Sequence, residues 1–375
     1  MQLRSADSHV IEPPDLWTLH LDTKYRDRAP RLVSLDTGDW WFVDGVRTMS
    51  VTGGTETGVR FDQPEKLRRE SRFVEVIKGA YDSTARLKDM ETDGVAGEVI
   101  YPTLALNMWR HPDSELLTAL FACYTEWVTE FCRPSKGRLR PAAPINLDDI
   151  GEGVRSMERS ARLGAAAAMI SVFPPEERSY GHPMYDRVWT AARDLDLAIS
   201  LHVGTNRTLP PASMKDRTGP FLFPTPGLQV TAAHWVQVTL ADMVFSGVFE
   251  RFPQLRVVSV EHDAAWAPHF ISTMDYIYTQ KPRRPEWPRF KNAIIPSDFF
   301  HRNVFITFQE DPIAVRLRDV IGVGNLMWGS DYPHPESTFP RTRQVLDRIF
   351  TGVPQSEIEL IVSANVTRVF RFPHM

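Results

Sequence analysis

Cysteine is almost missing from this chain: its 375 residues include only Cys123 and Cys132, in a stretch that reads as helix. Two thiols at that spacing make neither a disulfide framework nor a zinc motif, and a reducing compartment is the natural expectation. Long apolar runs are missing as well. None approaches the ~20 residues that cross a bilayer, and the N-terminus shows no charged-then-apolar leader. A cytoplasmic protein without a membrane partner is therefore expected. Charge of one sign is also scarce. The formal net charge is -4 and no long basic run occurs, which makes nucleic acid a poor partner. No glycine-rich phosphate loop follows the first predicted strand, which weakens the case for a doubly wound nucleotide-binding sheet.

Proline, by contrast, is plentiful at 29 residues. It gathers between periodic segments and predicts long, shaped loops. Eight strand-like runs lie near residues 3–9, 97–101, 138–146, 166–172, 197–203, 255–261, 303–308 and 326–330. Amphipathic helical patterns separate most of them, among them 116–132, 150–163, 184–195, 228–246 and 357–370. Strand–helix units of this number and total length predict an α/β fold, a single (β/α)8 TIM barrel domain spanning residues 1–375. Insertions are expected after strand 1, where Asp39-Trp40-Trp41-Phe42 suggests a hairpin near 40–51, and after strand 5, over Gly204 to Pro226. The aromatics of the first insertion read as packing, with lid or oligomer contacts as the alternative.

Chemistry-bearing residues collect at the ends of these strands. Asp7 and His9 close the first strand, two apart and hence on one face. His202 closes the fifth, Glu261 and His262 the sixth, and Asp331 follows the eighth. All fall at strand C-termini, the face on which barrel enzymes build their sites. Carboxylates and imidazoles converging there suit Zn²⁺, Mn²⁺ or Fe²⁺ better than Mg²⁺, which prefers oxygen alone.

Five stretches in order then carry a resemblance: Asp7-Ser8-His9-Val10-Ile11-Glu12-Pro13, Ser200-Leu201-His202-Val203-Gly204, Phe252-Pro253-Gln254-Leu255-Arg256-Val257, Glu261 to Pro268 around Trp266, and Trp328-Gly329-Ser330-Asp331-Tyr332-Pro333-His334-Pro335. They resemble the amidohydrolase superfamily, in the amidohydrolase-related branch that includes aminocarboxymuconate semialdehyde decarboxylase and the resorcylate and carboxyvanillate decarboxylases. The resemblance spans almost the whole chain. It implies metal ligation by Asp7, His9, His202 and Asp331, with Asp7 where many relatives carry the first His of a His-x-His pair. Strand six of the branch often ends in a catalytic His or a Glu; both occur here, and either Glu261 or His262 faces the metal. No Lys ends strand four, at Met169-Ile170-Ser171-Val172, so a carbamylated-lysine bridge between two metals is not implied.

A divalent cation lowers the pKa of bound water or polarises a substrate oxygen. Asp331, Glu261 and His262 are the candidate catalytic groups, able to orient a substrate or move a proton. Glu12 is a candidate for orienting His9 or for holding a second metal. His334, Arg207 and Arg217, with the Arg283-Arg284 pair, are candidates for binding a substrate carboxylate. The expected function is a non-oxidative decarboxylase or hydrolase acting on a small aromatic or unsaturated acid, working as a homodimer or higher oligomer. Two alternatives stand: a dinuclear non-haem iron or manganese oxygenase, suggested by the surplus of ligand-capable groups, and a non-catalytic subunit of a larger assembly.

Overall fold

Short runs of alanine and branched apolar residues, each stopped by proline, glycine or a polar cluster, form the central strands. In the computed structural model, which describes residues 2–68, 70–175, 178–207, 226–280 and 289–373, these are β1 (Leu3–His9), β5 (Val95–Tyr101), β6 (Leu139–Pro144), β7 (Ala167–Ile170), β8 (Ala198–His202), β9 (Val257–Val260), β10 (Val304–Phe308) and β11 (Leu326–Trp328). They pair in parallel and in chain order to give one eight-stranded sheet. Nearly every residue in them is buried, as expected of strands covered on both faces.

The first and last strands meet through the segments that follow them. Asp331 N donates to Asp7 O at 2.8 Å, and His9 N donates to Tyr332 O at 2.6 Å. These bonds close the ring, and the fold is a (β/α)8 TIM barrel. Close approach at the seam is possible because residue 329 is glycine. A Cβ there would stand 2.6 Å from Asp7 Cβ.

Helices between the strands follow local capping rules. Helix Ile150–Leu163 begins where Asp149 accepts from Glu152 N and ends where Gly164 turns left-handed at φ 101°. Helix Ser83–Asp93 is bounded in the same way by Asp82 and Gly94. Elsewhere the expected helices are broken. The segment predicted as one helix over 228–246 is two, Pro226–Val230 and Ala233–Phe245. The closing segment over 357–370 starts at Gln355 and carries a wider π-type turn, Leu360–Ala364, in its middle.

The insertion after β1 holds a three-stranded antiparallel sheet, β2 (Arg31–Ser34), β3 (Asp39–Val43) and β4 (Val46–Ser50). Trp40 and Trp41 are buried in it, and Trp41 meets Trp17 edge-on with ring centres 5.9 Å apart. These aromatics therefore pack the insertion onto the barrel. Most of the second expected insertion, with Arg217, lies outside the described residues, as does the Arg283-Arg284 pair. Among the described residues, no helix is long and apolar enough to cross a membrane.

Candidate metal centre

The bulge in β1 shapes the mouth. Pairing with β5 slips between Ser5 and Ser8, where Ser5 Oγ donates to Asp7 O at 2.7 Å and Ser8 Oγ lies 3.0 Å from Ser330 Oγ. Beneath this seam Arg86 and Glu98 form a fully buried pair at 2.6 Å, and Arg86 also donates to His9 O at 2.8 Å. The residues carrying Asp7 and His9 are thus held from behind by hydrogen bonds that reach two other elements.

Asp7, His9, His202 and Glu261 then point one ligand-capable atom each into a common space, all within 4.8 Å of one another. Asp7 Oδ1 lies 3.4 Å from His9 Nε2 and 3.6 Å from His202 Nε2. Glu261 Oε2 lies 3.6 Å and 3.4 Å from the same two nitrogens. Donors held ~2.1 Å from a tetrahedral cation stand ~3.4 Å apart, so this is the spacing a four-coordinate metal imposes. Asp7 Oδ1, His9 Nε2 and His202 Nε2 are buried without any hydrogen-bond partner. Orphaned polar atoms of this kind call for a further partner such as an ion.

Both imidazoles are fixed by their other nitrogen. His9 Nδ1 lies 2.7 Å from Pro102 O, and His202 Nδ1 lies 2.9 Å from Val203 O. A carbonyl only accepts, so Nδ1 carries the proton and the Nε2 lone pair faces the common space. Tyr101 floors the site, its ring centre 5.0 Å from that of His202 and its hydroxyl 2.9 Å from Ser200 Oγ. Burial by itself would raise the Asp7 carboxyl, but the neighbouring imidazoles of His202 and His9 hold it well below the usual carboxylate range. Glu261 moves the other way, pushed up by burial and by the negative charges of Asp331 and Asp7.

Asp331 approaches from the far side of His9, its Oδ1 3.3 Å from His9 Nε2 and 2.9 Å from His334 Nδ1, while its Oδ2 is buried and unpartnered. His334 stacks on His9 with ring centres 4.1 Å apart, and its Nε2 lies 2.9 Å from Thr103 Oγ1. Both ring nitrogens of His334 are therefore engaged within the protein, which corrects its expected place as a substrate contact. Thr103 and Pro102, which escaped the sequence reading, follow β5 directly. The only signal there is a strand stopped by proline.

Strand six resolves its own ambiguity through backbone geometry. Glu261 adopts φ 61°, so the chain turns left-handed just past β9. The turn lets Glu261 reach the common space and still brings His262 back over Ser259, with Nδ1 3.1 Å from Ser259 Oγ. His262 Nε2 is left buried and unpartnered. Burial, reinforced by the nearby His202, pulls the His262 pKa down to about 3, so its ring is neutral.

Two further expectations are corrected. Glu12 does not orient His9 and stands apart from the ligand atoms. Its carboxylate accepts from Thr103 N, Leu104 N and Ala105 N at 3.3, 2.9 and 3.1 Å, and so caps the helix Leu104–Met108. Arg207 is not free to bind substrate. Its guanidinium pairs with Asp148 at 2.5 Å and donates to Trp109 O and His111 O. The partners in both cases lie far away in sequence, where no local pattern reveals them.

Residues 113–372 match the amidohydrolase family model, and the chain belongs to that family. Among solved structures it is similar to an amidohydrolase from Mycobacterium avium subsp. paratuberculosis K-10, at 22% identity and TM-score 0.75, with 98% of this chain and 99% of that one covered. It is also similar to 5-carboxyvanillate decarboxylase from Sphingomonas paucimobilis, at 20% identity and TM-score 0.67, with 99% of each chain covered. A third is dihydroxybenzoic acid decarboxylase from Polaromonas sp. JS666 with bound manganese and 2-nitroresorcinol, at 15% identity and TM-score 0.67, covering 100% of this chain and 98% of that one. At such identities the likeness speaks to the shared barrel.

Proposed function

We propose that this member of the amidohydrolase family is a divalent-metal-dependent enzyme that removes a carboxyl group, without oxidation, from a small aromatic acid. The observation that carries the metal reading is the set of 3.3–3.6 Å separations among side-chain atoms of Asp7, His9, His202, Glu261 and Asp331, three of which, Asp7 Oδ1, His9 Nε2 and His202 Nε2, are buried without a partner. Manganese or zinc suits that mixed nitrogen and oxygen set, and manganese is the ion bound in one similar decarboxylase. A single site is favoured over the dinuclear alternative. Glu12 caps a helix, and both nitrogens of His334 are used by Asp331 and Thr103.

When bound, the ion supplies a Lewis acid for the substrate carboxylate and a neighbouring oxygen. Asp331 suits proton delivery: its Oδ1 is held by His334 and its Oδ2 is bare. In the reaction the carbon–carboxyl bond breaks, its electron pair stays on the ring carbon, carbon dioxide leaves, and a proton from solvent, taken up and relayed by Asp331, replaces it on that carbon. Neutral His262, anchored on Ser259, presents its Nε2 to an oxygen substituent of the substrate.

Emission spectrometry of the purified protein should give about one manganese or zinc per chain. The loaded protein should release carbon dioxide from one or more hydroxybenzoic acids. His202→Ala should lose metal and turnover together while keeping its circular dichroism. Turnover of esters or amides without carbon dioxide release would replace this reading with a hydrolase, and two irons per chain would restore the oxygenase.

A further inference from the structure

A polar cavity of about 330 Å³ opens where strands begin rather than where they end; Arg193, Asp196, Gln254, Arg256 and Arg371 supply its polar lining. Arg193 sits in the last turn of helix Asp186–Asp194. Asp196 and Arg256 stand just before β8 and β9, which pair in parallel. Arg371 follows the closing helix Asn365–Phe370. His202 ends β8 and Glu261 follows β9, so the cavity and the candidate ligand cluster occupy opposite faces of the barrel.

Among the described residues, the cavity lining carries three guanidiniums against one carboxylate. Asp196 Oδ1 accepts from Arg256 Nη1 at 2.7 Å, and the Asp196 carbonyl accepts from Arg256 Nη2 at 2.7 Å. Its Oδ2 and Oδ1 accept from Arg371 Nε and Nη2 at 2.7 and 3.0 Å. Burial alone would raise the Asp196 carboxyl, but these two arginines hold it below its ordinary value, so it is an anion at neutral pH. Arg193 has Asp194 as its own partner at 2.7 Å. Arg256 and Arg371 must share Asp196, which leaves positive charge in excess. Arg256 Nε is in addition buried without a partner, and an unmade hydrogen bond on a charged group is costly. Asp196 and Arg371 both turn left-handed just past a helix, at φ 55° and 56°, where glycine would fit without strain. Charged side chains are kept at both positions nonetheless.

Excess positive charge, an open donor and arginines arriving from three segments match an anion with several acceptor oxygens and more than one charge. The volume falls within the ~300–1,000 Å³ of small-molecule sites, which leaves room for an organic remainder.

We propose that this cavity is a phosphate-binding site, taking the phosphoryl group of inorganic phosphate or of a small organic phosphate on the barrel face away from the candidate metal centre. The site stands independently of the metal-dependent reading.

Calorimetric titration of the full chain with inorganic phosphate, glycerol 3-phosphate and acetate tests it, in wild type and in His202→Ala. Both proteins should bind one of the phosphates alike, and at least roughly tenfold tighter than acetate. In the His202→Ala background, Arg256→Gln and Arg371→Gln should each weaken that binding about tenfold or more, and Arg371→Lys should keep part of it. Circular dichroism and thermal unfolding show that each variant folds; Arg371 is half exposed, so its variants carry the test if Arg256→Gln does not fold. Tighter binding of glycerol 3-phosphate than of phosphate assigns the remaining volume to an organic portion, whereas equal or weaker binding makes the free ion the occupant, and either sustains the site. A wild type that binds neither phosphate at about 10 mM overturns the proposal. So does a folded Arg371→Gln variant that binds as its parent does, because the arginines then serve only to tie Asp196 in place. Binding that disappears in His202→Ala places the phosphate at the metal centre and overturns the proposal too.

Discussion

Single side chains at this barrel mouth divide into those that face the common space and those that hold them there. Glu12 belongs to the second group. Its carboxylate accepts from three successive backbone amides, at Thr103, Leu104 and Ala105. Glu12→Ala leaves those amides without their acceptor, and buried unpaired donors cost about 1–3 kcal/mol each. The variant should lose about 2–4 kcal/mol in urea unfolding, the sum being softened by water entry, and still bind its full metal complement. A loss of metal with unchanged stability would reinstate Glu12 as a ligand. Gly329 acts through exclusion. A methyl group there meets Asp7 Cβ at 2.6 Å, so Gly329→Ala should displace Asp7, cost about 1–3 kcal/mol of stability and weaken metal retention on dialysis. Asp7, His9, His202 and Asp331 were legible in the sequence because each closes or follows an apolar strand. The choice between Glu261 and His262 was not, because it depends on a left-handed residue that no alternating pattern foretells.

At the scale of elements, the strands were the most legible part of the chain. Parallel strands buried on both faces must be apolar, and the prolines and glycines that stop them are visible. Helix Ile150–Leu163 was legible to its ends because Asp149 and Gly164 mark them locally. The break between Pro226–Val230 and Ala233–Phe245 carries no proline or glycine at the join, so the periodicity ran through it. Contacts between elements stayed hidden. The C-terminal residue of helix Ser83–Asp93 is an example: Asp93 accepts from Thr342 N at 3.1 Å and from Thr342 Oγ1 at 2.5 Å, at the start of helix Thr342–Ile349. Burial, aided by the negative Glu98, raises the Asp93 pKa from 3.8 to about 6. The folded chain therefore holds this proton more tightly than the unfolded chain does. The stabilising contribution is complete below the unfolded value and fades as pH rises through about 6. Asp93→Asn keeps an acceptor for Thr342 N and a partner for its hydroxyl, yet never ionises. Its stability in urea relative to wild type should be near unchanged at about pH 4 and higher by roughly 1–3 kcal/mol at about pH 7. An equal effect at both pH values would show that ionisation of Asp93 is not what the helix junction feels.

For the whole molecule, the ring and the candidate ligand cluster are one structure. Asp7 and His9 come from the first strand, His202 from the fifth, Glu261 from just past the sixth and Asp331 from beyond the eighth, whose backbone closes the ring onto the first. Three carboxylates crowd this space, and Glu261 is held towards its neutral form by burial and by its negative neighbours. A divalent cation relieves that repulsion only when the distant strands are assembled, so it binds the folded chain and not the unfolded one. Linkage then stabilises the fold by about 2.7 kcal/mol at a free metal concentration one hundred times the dissociation constant. Chelation should accordingly lower the melting temperature by several degrees, with manganese or zinc restoring it and magnesium doing so poorly. If residues 1–375 form one domain, calorimetry will show a single transition that moves as a unit. His202→Ala should melt near the chelated wild type and ignore added metal. A wild-type transition that chelator and manganese both leave in place would mean that the cluster holds no ion. The close spacing of its donors would then be a strained arrangement without a chemical use.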